Sequence, residues 1–246
     1  MNPTLYLKCK PEDVGDFVLL TGDPARVDRA AGMFEAVDFT IQNREFYTTS
    51  GLYGGLRFSS VSSGIGAPSA AIAIEELVQL GVKAIVRVGT MMGVDAPMGS
   101  YVISTGAVRF EGTSRDYLPL EYPAIPDWKL ANCLYQRSRN AGIHCQMGLT
   151  ATYDSFYPKM APALVGRGLP DMEQLRQAHV LSLDMETSLL YIAGLRLKLP
   201  VVAMCLVTNT AAPFAILDSD QRDSGEDILI RTVLDGLVEW SKTYDE

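Results

Sequence analysis

Arg87 interrupts the apolar run Ala84-Ile85-Val86-Arg87-Val88 and is followed at once by Gly89-Thr90. A guanidinium in a buried strand is stable only beside a carboxylate or an anionic ligand; the alternative is an edge strand with Arg87 facing water. Arg26 stands in Thr21-Gly22-Asp23-Pro24-Ala25-Arg26, directly after another apolar run. A glycine turn and a helix N-terminus offer N–H groups to an anion, and arginine adds a fork of donors. The same residue also reads as a helix-surface arginine after an Asx turn. Leu183-Asp184-Met185-Glu186 sets two carboxylates between an apolar strand and an apolar helix. There they cap the helix, or one projects from the strand end and accepts hydrogen bonds from a sugar diol. Arg44, in Asn43-Arg44-Glu45-Phe46, has no distinguishing setting of its own, and Asp218 and Asp220 read as solvated surface before the last helix.

The elements that must position these residues alternate from end to end. Phe17–Leu20 is a buried strand that enters a turn, with Pro24 at a helix start. Tyr47 to Ser62, with Gly54-Gly55 inside it, predicts a hairpin. Ala67 to Leu80 has helical spacing and stops at Gly81. Ala84–Val88, Tyr101–Val108, His144–Ala151, Val180–Leu183 and Val201–Val207 predict strands; Asp127–Ala141, Thr187–Leu197 and Asp223–Ser241 predict helices. This alternation implies an α/β fold: one domain over residues 1–246, with a central mixed β-sheet flanked by helices. Ligands of such sheets sit at the carboxyl ends of strands, where the residues above fall.

Composition narrows the chemistry. The 246 residues carry 29 acids against 21 Lys and Arg, a net charge of -8. Such a field repels polyanions, which argues against nucleic acid or an anionic membrane as partner but not against a local anion site. Two histidines and four cysteines without a C-x-x-C pair leave no metal or redox motif. No signal peptide is read at the N-terminus, and no apolar run approaches the ~18–20 residues of a membrane span, so a cytoplasmic protein is expected. G-x-G-x-x-G, the P-loop, G-x-S-x-G and H-E-x-x-H are all absent. Gly64-Ile65-Gly66 precedes a helix but is weak as a phosphate-loop signal.

Taken in order, Gly22-Asp23-Pro24-x-Arg26-Val27, Asn43-Arg44-Glu45-Phe46, Gly64-Ile65-Gly66-x-Pro68-Ser69, Arg87-Val88-Gly89-Thr90 and Met185-Glu186 resemble the nucleoside phosphorylase-I family. The branch is that of uridine phosphorylases and hexameric purine nucleoside phosphorylases. Leu118-Pro119-Leu120-Glu121-Tyr122-Pro123-Ala124, with Gly148-Leu149-Thr150-Ala151 leading to Asp154-Ser155-Phe156-Tyr157-Pro158, is similar to the uridine enzymes in particular. The resemblance implies reversible phosphate-dependent cleavage of a (deoxy)ribonucleoside to pentose 1-phosphate and free base. It assigns Gly22, Arg26, Arg87 and Thr90 to phosphate, joined by Arg44 of a neighbouring subunit, and Met185 and Glu186 to ribose. Tyr6 takes the place of the family's N-terminal histidine at a neighbour's ribose. The resemblance also implies that Arg26, Arg87 and Glu186 carry the catalysis. No cofactor is implied beyond inorganic phosphate as co-substrate. A monovalent cation such as K+ is matched to Glu45, Ile65 and Ser69. The usual assembly is a homohexamer of three dimers, each dimer completing two sites.

Departures gather around the base. The positions that read the uracil edge in uridine phosphorylases are Met160 and Pro162 here, with Arg167, Gln174 and Gln177 as nearby substitutes. The Ser-Asp of the hexameric purine enzymes is Thr208-Asn209, and Asn cannot act as an acid. Met91-Met92 follow Gly89-Thr90 where the family has small residues, so Phe156, Met91, Met160, Thr208 and Asn209 are the expected base contacts. Three alternatives stand: a purine phosphorylase with Asn209 in place of the acid, a hydrolytic nucleosidase, and a nucleoside- or phosphate-binding protein without turnover.

Overall fold

In the computed structural model, residues 2–155, 157, 172–211 and 214–243 are described. The strands are β1 (Phe17–Thr21), β2 (Ala36–Asn43), β3 (Phe46–Tyr53), β4 (Leu56–Ser62), β5 (Ala84–Gly93), β6 (Tyr101–Arg109), β7 (Cys145–Thr152), β8 (Val180–Asp184), β9 (Val201–Ala211) and β10 (Phe214–Ile216). The helices are α1 (Pro24–Ala31), α2 (Ala67–Gln79), α3 (Trp128–Asn140), α4 (Met172–Gln177), α5 (Thr187–Leu197) and α6 (Ser219–Ser241). All ten strands join one mixed sheet in the order β10-β9-β6-β7-β8-β5-β1-β4-β3-β2. An extra pairing of β9 with β5 closes β5-β9-β6-β7-β8 into a ring, from which β1-β4-β3-β2 extends as a wing.

The central strands are apolar on both sides because both faces of the sheet are covered. Successive side chains of β1 point opposite ways. Val18 and Leu20 join the core under α2 and α5, with Ile74, Leu77, Leu190 and Tyr191. Phe17 and Leu19 join the opposite core with Leu130, Leu134, Val233 and Trp240, under α3 and α6. On β5, Ile85 faces the first core and Val86 the second. The period of two therefore places Arg87 on the Ile85 side, toward α5.

The expected α/β class, central mixed sheet and flanking helices are observed. Helix Thr187–Leu197 has the expected ends. Asp127 is the N-cap of α3, accepting from the Leu130 amide at 2.8 Å. Gly81 follows α2 at φ 86, a left-handed conformation that suits glycine. One correction concerns α6, which starts at Ser219 rather than Asp223, so Asp218 is not idle surface: it caps the helix, accepting from Gln221 at 2.8 Å. The polar first turn hides the helical period there. Strand β2 has no counterpart in the sequence reading. It is an edge strand with largely exposed side chains and a bulge between Val37 and Phe39, which disturbs the alternation. Among the described residues no helix is long and apolar enough to cross a membrane.

Candidate active site

A cleft of about 460 Å³ opens at the carboxyl ends of β1, β5 and β9 and at the junction of β8 with α5. Gly22, Arg26, Ile65, Arg87, Thr90, Met91, Met185, Glu186, Thr208 and Asn209 all line it. Ten of the expected site residues, from five separate stretches of chain, thus share one cavity.

Arg87 is 5 % exposed, which removes the solvent-facing alternative. Its Nε donates to Asp184 Oδ2 at 3.1 Å and its Nη2 to Glu186 Oε2 at 2.5 Å. Burial works against the charge on Arg87, but the carboxylates of Glu186 and Asp184 outweigh it, and the guanidinium is held more firmly ionised than a free arginine. The remaining corner, Nη1, lies over Gly89: a Cβ built on that glycine would stand 2.7 Å from it. Gly89 is the residue that lets the guanidinium lie flat along the strand end.

The two carboxylates of Leu183-Asp184-Met185-Glu186 divide the roles proposed for them. Asp184, 2 % exposed, caps α5: it accepts from the Thr187 amide at 3.0 Å and from the Thr187 hydroxyl at 2.6 Å. Thr152 Oγ1 donates to its other oxygen at 2.8 Å. Glu186 occupies the N-cap position itself yet makes no capping bond. Its Oε1 instead accepts from the Gly66 amide at 2.6 Å. Gly66 has φ 100, a conformation that a side chain resists, so the glycine of Gly64-Ile65-Gly66 serves to aim an N–H at a carboxylate. Burial, joined by the neighbouring charge of Asp184, holds the Glu186 carboxyl above its ordinary range, although Arg87 and the amides of Gly66 and Met185 act to lower it. Glu186 is thus fixed at both oxygens beside the cleft.

Arg26, in the first turns of α1, is 6 % exposed and so is not a surface arginine. Asp23 caps α1 through the Ala25 amide at 3.0 Å, and Pro24 opens the helix. Arg26 Nη1 lies 3.3 Å from Thr21 Oγ1, and Nη2 is paired with Glu226 of α6 at 2.9 Å. Its Nε is buried and finds no hydrogen-bond partner among the described residues. Two arginines that keep donors unspent beside a strand end are groups of the kind that hold a small dianion.

On the other wall Met91 and Met92 are buried, and Thr208 Oγ1 lies 3.4 Å from Asn209 Oδ1. Phe156 and Met160 lie outside the described residues, as do Pro162 and Arg167. Cys205, on β9 opposite Gly89, is fully buried; burial pushes its thiol up to about 11, so it stays protonated and is no nucleophile.

Arg44 and Tyr6 are not part of this cleft; they meet at the β2–β3 turn. The Arg44 guanidinium carbon lies 5.8 Å from the centre of the Tyr6 ring, and that ring packs on Phe46 at 5.8 Å. Glu76 accepts from the Tyr6 and Leu7 amides at 2.8 and 2.7 Å, and Asn43 Nδ2 donates to the Tyr6 carbonyl at 2.8 Å. Glu45 and Ser69 approach each other at 3.5 Å beside Gly64, while Ile65 is 75 % exposed at the cleft. Among the described residues no group of three or more His, Cys, Asp or Glu could hold a metal ion.

The capping role read for the carboxylates of Leu183-Asp184-Met185-Glu186 falls to Asp184, while its bond to Arg87 across the sheet has no signal in the sequence. The sequence reading passed over Glu226, which sits 200 positions from its partner and follows ordinary helical spacing. Nothing local marks it.

A profile described as "Phosphorylase superfamily" matches residues 16–231. A uridine phosphorylase of Thermococcus kodakarensis is 37% identical over 209 residues, 78% of this chain and 73% of that protein. A guanosine phosphorylase of Halorubrum lacusprofundi is 33% identical, covering 82% of this chain and 81% of its own. The crystal structure of a uridine phosphorylase from Vibrio fischeri superposes with a TM-score of 0.86 at 27% identity, over 97% of this chain and 98% of that one.

Proposed function

The chain belongs to the phosphorylase superfamily, and we propose that its cleft carries out reversible phosphorolysis of a nucleoside of the uridine type, giving pentose 1-phosphate and free base. The observation that carries this reading is the buried contact of Arg87 with Glu186, which sets an anion-binding group against a sugar-binding group within one hydrogen bond. Phosphate lies against Arg26, the Nη1 corner of Arg87, Gly22 and Thr90. Glu186 accepts from the ribose 2′ and 3′ hydroxyls, and Met185 covers the ring. A phosphate oxygen attacks the anomeric carbon as the bond to the base nitrogen breaks, and the base leaves with that electron pair. Positive charge developing on the ribosyl group falls between the phosphate dianion and Glu186. Positioning and electrostatics supply the rate, and no covalent enzyme intermediate is required.

Arg26 and Arg87 are the reason to prefer phosphorolysis to hydrolysis, since water as nucleophile needs neither. Base choice rests on Met91, Met92, Thr208 and Asn209, with Phe156 and Met160 as further expected contacts. Asn209 can donate or accept but cannot protonate a purine, which favours a pyrimidine. Tyr6 and Arg44, fixed together outside the chain's own cleft, are offered to the site of a second copy, so a dimer is the active unit and a hexamer its assembly. A K+ ion at Glu45, Ile65 and Ser69 belongs to the same interface. Nucleoside catabolism and nucleotide salvage in the cytoplasm are the setting.

Base release should be measured over uridine, thymidine, inosine, guanosine, adenosine and their deoxy forms while phosphate is varied. Uridine turnover that rises and saturates with phosphate is expected. A protein that binds nucleosides but releases no base from any of them would overturn the reading. Gly89→Ala gives a second check. The added methyl collides with Arg87 Nη1, which its two carboxylates prevent from swinging aside, so phosphate KM should rise roughly tenfold while the thermal midpoint moves only a few degrees, the cost of a small overpacking strain of about 1–3 kcal/mol. An unchanged phosphate KM would show that Arg87 is not where phosphate binds.

A further inference from the structure

Arg26 meets Glu226 inside the cleft, where a negative charge works against an anion. The pair is 2.9 Å apart with both side chains less than a tenth exposed, and Glu226 lines the same cavity as Gly22, Arg87 and Thr90. Glu226 is also paired from behind, but more loosely. Arg29 approaches its second oxygen only at 3.5 Å, and Arg29 is itself held by Asp223 at 2.9 Å and Asp227 at 3.2 Å. Arg222 also lines the cleft, 3.8 Å from Asp223, so three cations (Arg26, Arg29, Arg222) and three anions (Glu226, Asp223, Asp227) share this corner. Glu226 thus stands as a carboxylate on the far side of Arg26, which keeps a buried Nε without a partner among the described residues.

Resting on the phosphorolysis reading, we propose that Glu226 is a specificity-determining residue that sets the affinity of the phosphate subsite. It acts in two ways through one hydrogen bond. It fixes Nη2 of Arg26, so the guanidinium keeps its orientation, and its charge repels the dianion bound on the far side of that guanidinium. The carboxylate and the phosphate share one arginine, and unlike a surface charge Glu226 is poorly screened by salt. The subsite is in this way built to hold phosphate loosely, and a sugar 1-phosphate, whose phosphate occupies the same place, should feel the same repulsion.

Glu226→Gln separates charge from geometry, because its amide oxygen still accepts from Arg26 Nη2. Phosphate KM should fall about 3- to 10-fold, the ribose 1-phosphate KM in the reverse reaction should fall by a similar factor, and the uridine KM should stay within about twofold, as expected for one partly buried charge removed near an anion. A phosphate KM that is unchanged would reduce Glu226 to packing. One that rises would make it only an orienting group, and either result overturns the proposal. If the Gln variant does not fold, Glu226→Asn, which also removes the charge and keeps an accepting amide oxygen, is read by the same criteria. Should the wild-type protein itself show no phosphate-dependent turnover, the functional reading fails instead, and direct phosphate binding by calorimetry on wild type and variant still decides whether Glu226 opposes the anion.

Discussion

Arg87→Ala should leave a folded protein that no longer performs phosphorolysis. The guanidinium is the only cation in contact with both Asp184 and Glu186 among the described residues, and its free corner is the donor proposed for phosphate. Loss of a preorganised charged donor of this kind typically costs about 10²–10³-fold in rate, and the loss here is compounded because Glu186 is released as well. Two buried carboxylates left without a cation should lower stability by about 3–5 kcal/mol, or roughly 10 °C in melting temperature for a chain of this length. Arg87→Lys separates the two effects. An ammonium restores charge and part of the stability but cannot serve Asp184, Glu186 and phosphate together, so activity stays low. Near-normal phosphate KM in either variant would contradict the assignment.

Glu186→Gln should weaken transition-state binding by ~1.5–3 kcal/mol, the value of a hydrogen bond to a charged group, which is roughly 10- to 150-fold in kcat/KM. The substitution is nearly isosteric. It nonetheless removes the charge that faces the ribosyl group, and wherever its amide nitrogen is placed a donor confronts the Gly66 amide or Arg87. The diagnostic readout is discrimination among sugars. The wild type should strongly prefer a ribonucleoside to its 2′,3′-dideoxy analogue, and the variant should lose most of that preference. Unchanged kinetics would refute the sugar-anchor role, and a loss of rate with discrimination intact would assign Glu186 to holding Arg87 alone.

What was legible in the sequence follows from where the physics is local. Arg87 stood out because a charge inside an apolar strand demands a partner, and the partner is there. The helix ends at Pro24, Asp127 and Gly81 could be read because capping depends on a few adjacent residues. Gly66 was visible only as half of a weak phosphate-loop signal. Its use, an amide aimed at Glu186 from 120 residues away, depends on tertiary folding. Glu226 is the extreme case: a glutamate in a helix is ordinary until α6 docks beside α1 and places it on Arg26. Strand β2 escaped because an exposed, bulged edge has neither a buried face nor a regular alternation to reveal it. Tyr6 and Arg44 show a further limit. One chain displays how they are held, by Phe46, Asn43 and Glu76, while their proposed use requires a second copy.

The most direct measurement is the identity of the sugar product. Uridine should be incubated with the protein with and without inorganic phosphate, and the pentose quantified against uracil. The site described above predicts ribose 1-phosphate in a one-to-one ratio with uracil when phosphate is present, and no uracil without it. Free ribose formed at the same rate in both mixtures would contradict phosphorolysis and make the two buried arginines something other than a phosphate site.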